Sequence, residues 1–141
     1  MRLATLIATT ATIASATLAS SAQAQAGLTI DWEWKIAHRC NNTSPLLQVQ
    51  GIPEGTKKLT FQMNDLDFQN KDHGGGTVEL GEGTTIEVPE GGLKTNYLGP
   101  CPNNFSSFGH NYQITVRALD ANGAELGKTM KTKEFSAKTA K

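Results

Sequence analysis

Residues 59–76 read Leu-Thr-Phe-Gln-Met-Asn-Asp-Leu-Asp-Phe-Gln-Asn-Lys-Asp-His-Gly-Gly-Gly. Leu59, Phe61 and Met63 alternate with Thr60, Gln62 and Asn64, the period-2 pattern of a strand with one buried face. The same odd-numbered row runs on into Asp65 and Asp67, so the apolar row ends in carboxylates at the rim of a core. Asp72, His73 and three glycines follow. They read as a loop whose backbone can approach a small ligand with no side chain in the way. This end of the strand is therefore the first candidate for a site.

Outward from it, the chain reads as strands and turns. Leu28, Ile30, Trp32, Trp34 and Ile36 alternate with Thr29, Asp31, Glu33 and Lys35, giving a strand with one heavily aromatic face. Those tryptophans serve either core or ligand stacking; sharing a row with aliphatics favours the core. Residues 46–50 form a short strand, and Pro53-Glu54-Gly55 is a turn that sends the chain back as a hairpin through residues 57–64. Residues 77–80, 84–88 and 93–98 are short candidates separated by glycine- and proline-rich breaks. A strand spans residues 111–119, and Asn122-Gly123 marks a two-residue hairpin returning through residues 125–135. Residues 136–141 read as a frayed tail. Short strands, frequent turns and the lack of repeats argue an all-β antiparallel sandwich in one domain over residues 27–141.

Met1-Arg2, the Ala/Thr/Leu/Ile run to Ser20, and the Ala22-Gln23-Ala24 and Ala24-Gln25-Ala26 sites have the parts of a secretory signal peptide over residues 1–26. Cleavage after Ala24 or Ala26 makes the protein periplasmic or secreted, with no integral membrane segment remaining. The signal holds one arginine and no acid, leaving 12 basic against 13 acidic residues, a balance of about minus one. That excludes the basic surface of a nucleic-acid binder. The two cysteines, Cys40 and Cys101, read as a single disulfide in an oxidising compartment, nominally worth about 4 kcal/mol for the loop it closes. Two free thiols or metal ligation are the alternatives, and isolated cysteines without a CxxC make no zinc site.

His110, Tyr112, Ile114 and Val116 share one parity, so an imidazole and a phenol stand at the start of a row that becomes core. Asp65 stands where one such row leaves a strand and His110 where another enters. If the two strands run antiparallel, both groups emerge at the same end. The alternative is that His110 and Tyr112 are ordinary rim residues bonded to backbone.

A set of short motifs then falls in order: Asn42-Thr43-Ser44-Pro45-Leu46-Leu47, Gly51-Ile52-Pro53-Glu54-Gly55-Thr56-Lys57, Asp65-Leu66-Asp67, Gly99-Pro100-Cys101-Pro102, His110-Asn111-Tyr112 and Ala118-Leu119-Asp120. Together they resemble the phosphatidylethanolamine-binding protein family, above all its bacterial Raf kinase inhibitor-like branch. The resemblance implies a sandwich with Greek-key connections and a small anion pocket at one end. It implies that Asp65, His110 and Tyr112 line the pocket, that Gly99 and Pro100 form a wall, and that His73 falls at the family's central histidine. Asp67, Ser44 and Pro45 take structural places. The departures are the loss of both prolines of the Asp-Pro-Asp-Ala-Pro motif, the glycines after His73, a shortened stretch between His73 and Gly99, and no long helix after Asp120.

The chemistry of such a pocket is that of a small phosphorylated or carboxylate ligand. Two imidazoles and a phenol supply donors, and the glycine-loop amides could add more. Asp65 accepts the remaining proton of a phosphate monoester or favours a charged imidazole beside it. Affinity should then weaken as pH rises through the range where imidazole loses its charge. No cofactor is implied, and Asp65, Asp67, Asp72 and His73 fit no metal-loop spacing. An enzyme is not the expectation: Asp65, His73 and His110 could form an acid/base set, but no Gly-x-Ser-x-Gly elbow exists and the His73-Gly74-Gly75-Gly76 run has no nucleophile to serve. The alternatives to an anion-binding module are an inhibitor-like interaction protein and such a hydrolase.

Overall fold

The period-2 row at residues 59–65 does form a strand, and a computed structural model, which describes residues 27–141, shows what it pairs with. Among the described residues there are seven strands: β1 (Thr29–Trp32), β2 (Leu47–Gln50), β3 (Lys58–Asp65), β4 (Lys71–Glu79), β5 (Thr85–Val88), β6 (His110–Leu119) and β7 (Glu125–Phe135). All pairings are antiparallel, in one sheet of order β1-β2-β5 and one of order β4-β3-β6-β7. No helix among the described residues is long and apolar enough to cross a membrane. The signal-peptide reading lies outside the described residues.

Each sheet buries one face, and the two faces meet in a single core. Ile30, Trp32, Leu47, Val49 and Val88 come from the three-stranded sheet, and Leu59, Phe61, Met63, Tyr112, Ile114 and Val116 from the four-stranded one. Trp32 and Trp34 belong to this core, both 3 % exposed. Trp34 stands edge-on to Tyr112 and Phe135. Regular pairing of β1 stops at Trp32, yet the alternation carries on to Trp34. Ile36 then begins a 3-10 turn, Ile36–His38, and faces solvent instead of completing the row.

Four expectations are corrected. The turn at Pro53 forms, with the Thr56 amide and hydroxyl both donating to the Pro53 carbonyl. It does not make a hairpin: β2 pairs with β1 and β5, while β3 pairs with β4 and β6. The buried Ile52 and Thr56 carry the chain from one sheet to the other. The stretch Asp72 to Gly76 is no loop but the first half of β4, paired to β3 with a bulge between Gln62 and Asn64. Residues 93–98 form no strand beyond one bridge, Thr95 to Gly75. The tail is docked: Ser136 is buried, the Lys141 amide donates to the Trp34 carbonyl, and the Ile36 amide donates to the Lys141 carbonyl.

The hairpin at Asn122-Gly123 exists in a wider form. Leu119 registers with Glu125, and the Asp120 carboxylate accepts the amides of Asn122 and Ala124. Gly123 takes the left-handed φ of 84° that its turn needs.

Candidate functional site

The pairing register places the site residues side by side. On the four-stranded sheet Asp65 registers with Lys71 of β4 on one side and Tyr112 of β6 on the other. Because β3 leaves the core where β6 enters it, the Asp65 carboxylate and the His110 imidazole meet: His110 Nδ1 lies 2.7 Å from Asp65 Oδ2. Asp65 is 3 % exposed. Its other oxygen, Oδ1, accepts the Asp67 amide at 3.0 Å and so shapes the turn into β4. A carboxylate only accepts hydrogen bonds, so Nδ1 carries the proton and Nε2 holds the lone pair.

His73 comes to the same place from β4. Its Nδ1 lies 2.9 Å from the Leu98 carbonyl oxygen, which fixes the same tautomer, and its ring stands edge-on to Tyr112 at 5.3 Å. Among the described residues neither Nε2 has a hydrogen-bond partner, and neither is sealed in the interior. The Tyr112 hydroxyl accepts the Cys101 amide at 3.2 Å and lies beside the Asp65 carboxylate, which its own proton can reach. Burial first, and then the Asp65 charge, pushes the phenol well above its ordinary range, so it stays protonated.

These groups border a cavity of about 240 Å³ lined by Asp65, Phe68, Lys71, His73, Cys101, Asn103, His110 and Tyr112. Lys71 makes no ion pair among the described residues, and its ammonium sits 5.8 Å from the Phe68 ring centroid. The cavity thus holds one free cation, two imidazoles with an open nitrogen each, a phenol proton and one buried carboxylate. That set suits a compact anion that still carries a proton.

The remaining sequence-derived residues stand behind the wall. Gly99 and Pro100 are buried but do not line the cavity. A Cβ on Gly99 would collide with the Asn41 carbonyl oxygen, and the Pro100 carbonyl accepts the Cys40 amide at 2.8 Å. The Cys40–Cys101 disulfide, with Cα atoms 4.5 Å apart, ties the same segment to residues 38–41. Asp67 faces away, with Oδ2 accepting the Asn111 amide at 2.6 Å and its side-chain amide at 3.0 Å. Ser44 accepts the Leu93 amide with its hydroxyl, and Pro45 is buried beside it.

The glycines contribute no ligand amides of the kind expected from a loop. The Gly75 amide donates to the Thr95 carbonyl and the Gly74 amide to Asp72 Oδ1. They are there because backbone passes close by: a Cβ on Gly74 would strike the Asn96 carbonyl, and one on Gly75 the Phe61 carbonyl.

The sequence did not place Phe68, Lys71, Asn103 or the disulfide-bonded Cys101 on the cavity. For Lys71 a signal existed: it shares the parity of His73 once residues 71–79 are read as a strand. The other three lie outside strands, where no periodicity reports a direction.

No protein-family model matches the chain, and no curated protein matches it. Among solved structures it is similar to Escherichia coli YbcL, described as a new member of the mammalian PEBP family. Identity is 20 %, with 80 % of this chain and 99 % of that one covered and a TM-score of 0.54. A putative phosphatidylethanolamine-binding protein homologue from Chlamydia trachomatis also matches, at 16 % identity over 77 % of this chain and 97 % of that one, with a TM-score of 0.44. With its two antiparallel sheets and its likeness to YbcL, the chain has the phosphatidylethanolamine-binding protein fold.

Proposed function

We propose that this protein is an exported binding module for a small anion, whether phosphate, a phosphorylated head group or a carboxylate, held in the cavity between β3, β4 and β6. The observation that carries the reading is the meeting of Asp65, Lys71, His73, His110 and Tyr112 on one 240 Å³ space. Lys71 neutralises charge, Tyr112 donates, and the two Nε2 atoms accept the ligand's proton or, when protonated, donate to its oxygens. Asp65 holds His110 in orientation and balances the imidazolium when it forms. The likeness to YbcL, described as a member of the PEBP family, supports a ligand-binding role.

Phosphorus NMR and calorimetry with inorganic phosphate, phosphoethanolamine and acetate test it. Binding should be saturable and should weaken about 10-fold or more in His110→Ala, the loss of one charge-assisted hydrogen bond. Affinity unchanged in His110→Ala would remove the imidazole from the role.

A further inference from the structure

The protein has three histidines, and they are not equivalent. His38 has both ring nitrogens occupied: Nδ1 accepts the Lys35 amide at 3.0 Å, and Nε2 faces Glu90 Oε1 at 3.2 Å. His73 is tied by Nδ1 to a neutral carbonyl. His110 alone is tied by Nδ1 to a carboxylate, at 2.7 Å, with Nε2 at the edge of the cavity and unpaired among the described residues. A carboxylate on one side of an imidazole fixes the tautomer, raises the basicity of the far nitrogen and stabilises the positive ring that forms when that nitrogen makes a new bond.

We propose that His110 is a phosphoryl acceptor, its Nε2 taking the phosphoryl group of an N-phosphorylated donor lodged in the cavity. The inference rests on the cavity admitting phosphorylated ligands, as argued above. The Nε2 lone pair attacks phosphorus and an N–P bond forms. The donor's own P–N bond breaks with its electron pair staying on an amine nitrogen that already carries its proton, so the amine departs neutral. Nδ1 keeps its hydrogen, and the ring, now positive, faces the negative Asp65. Lys71 and His73 flank the phosphoryl oxygens.

The second open imidazole, His73, has only a neutral carbonyl behind its Nδ1 and lacks the carboxylate that backs His110. Both oxygens of Asp65 are taken up, by the Asp67 amide and by His110. The other groups lining the cavity do not compete as nucleophiles. Cys101 is locked in the disulfide. The Tyr112 hydroxyl is held by the Cys101 amide, and burial keeps its proton on. The lysine and the asparagine do not offer a free lone pair at neutral pH.

The test is incubation of the purified protein with phosphoramidate, followed by intact mass and phosphorus NMR. One acid-labile phosphoryl group per chain is expected in the wild type, and none in His110→Asn. Its formation should outpace that on free N-acetylhistidine by about 10-fold or more, and Asp65→Asn should remove that advantage. The comparison with N-acetylhistidine uses the wild type alone, so it stands even where a variant fails to fold. An adduct that persists in His110→Asn, or a wild-type rate equal to that of N-acetylhistidine, overturns the proposal. So does donor hydrolysis with no adduct. Titration of the same sample with inorganic phosphate separates the two readings: phosphate bound without an adduct overturns transfer alone, and neither seen overturns both.

Discussion

Tyr112 joins core, wall and cavity in one side chain. Its ring is fully buried against Trp34, His73 and Phe135, while its hydroxyl receives the Cys101 amide. Tyr112→Phe keeps the packing and removes that acceptor. It should cost about 1 kcal/mol in chemical denaturation, the net worth of one ordinary hydrogen bond. It should also loosen residues 99–103, seen as faster amide exchange at Cys101. Unchanged exchange there would mean the phenol does not hold the wall. Asp65, His110 and Tyr112 were legible because each sits at the end of an alternating row, and parity alone gives their direction. The meeting of Asp65 and His110 needed only the further assumption that β3 and β6 run antiparallel, which they do. Phe68 and Asn103 were not legible, since outside a strand a residue's direction is set by tertiary contacts absent from local sequence.

At the scale of elements, the first half of β4 is what sequence could not show. Glycine has no side chain to alternate, so Gly74 to Gly76 erase the very period by which strands are read. Their reason lies in residues distant along the chain, the carbonyls of Phe61 and Asn96 and the backbone of Leu93. Gly75→Ala should therefore destabilise by about 2 kcal/mol or more, because backbone must move to admit the methyl group. Gly81→Ala serves as the control. Nothing lies within 4 Å of a Cβ there, and the change should be neutral or stabilising by up to about 1 kcal/mol through the unfolded chain. Equal midpoints for the two variants in urea would show that β4 is not closely packed. The pairing of β2 and β3 was misread for a related reason: Pro53-Glu54-Gly55 specifies a turn, but a local turn does not say whether the next strand joins the same sheet or the opposite one.

For the molecule as a whole, the question is how the two sheets and the docked tail are held as pH changes. Asp31 on β1 receives Lys131 at 2.9 Å and Lys133 at 2.6 Å, both from β7 of the other sheet. Chiefly through the Lys133 contact, its carboxyl is held down to about 2. A depressed carboxyl stabilises the fold above its unfolded value of 3.8, and this contribution is lost as pH falls through about 2. The clasp is half-exposed, so its share is under about 1 kcal/mol. His38 acts in a higher window. Burial lowers its pKa below the ordinary 6.5, and the Glu90 carboxylate only partly opposes this. The unfolded chain then takes up the proton first, so stability is complete above about 6.5 and declines as pH drops below it. Geometry gives the same sign: a proton on Nδ1 ends its acceptance of the Lys35 amide, at the turn where the tail docks. The urea midpoint should thus fall between pH 7 and pH 5.5, before the carboxylates titrate. In His38→Asn, less stable throughout, that early slope should disappear. If the slope survives the substitution, the acid sensitivity in this range does not come from His38 and the turn where the tail docks is not where the fold first yields.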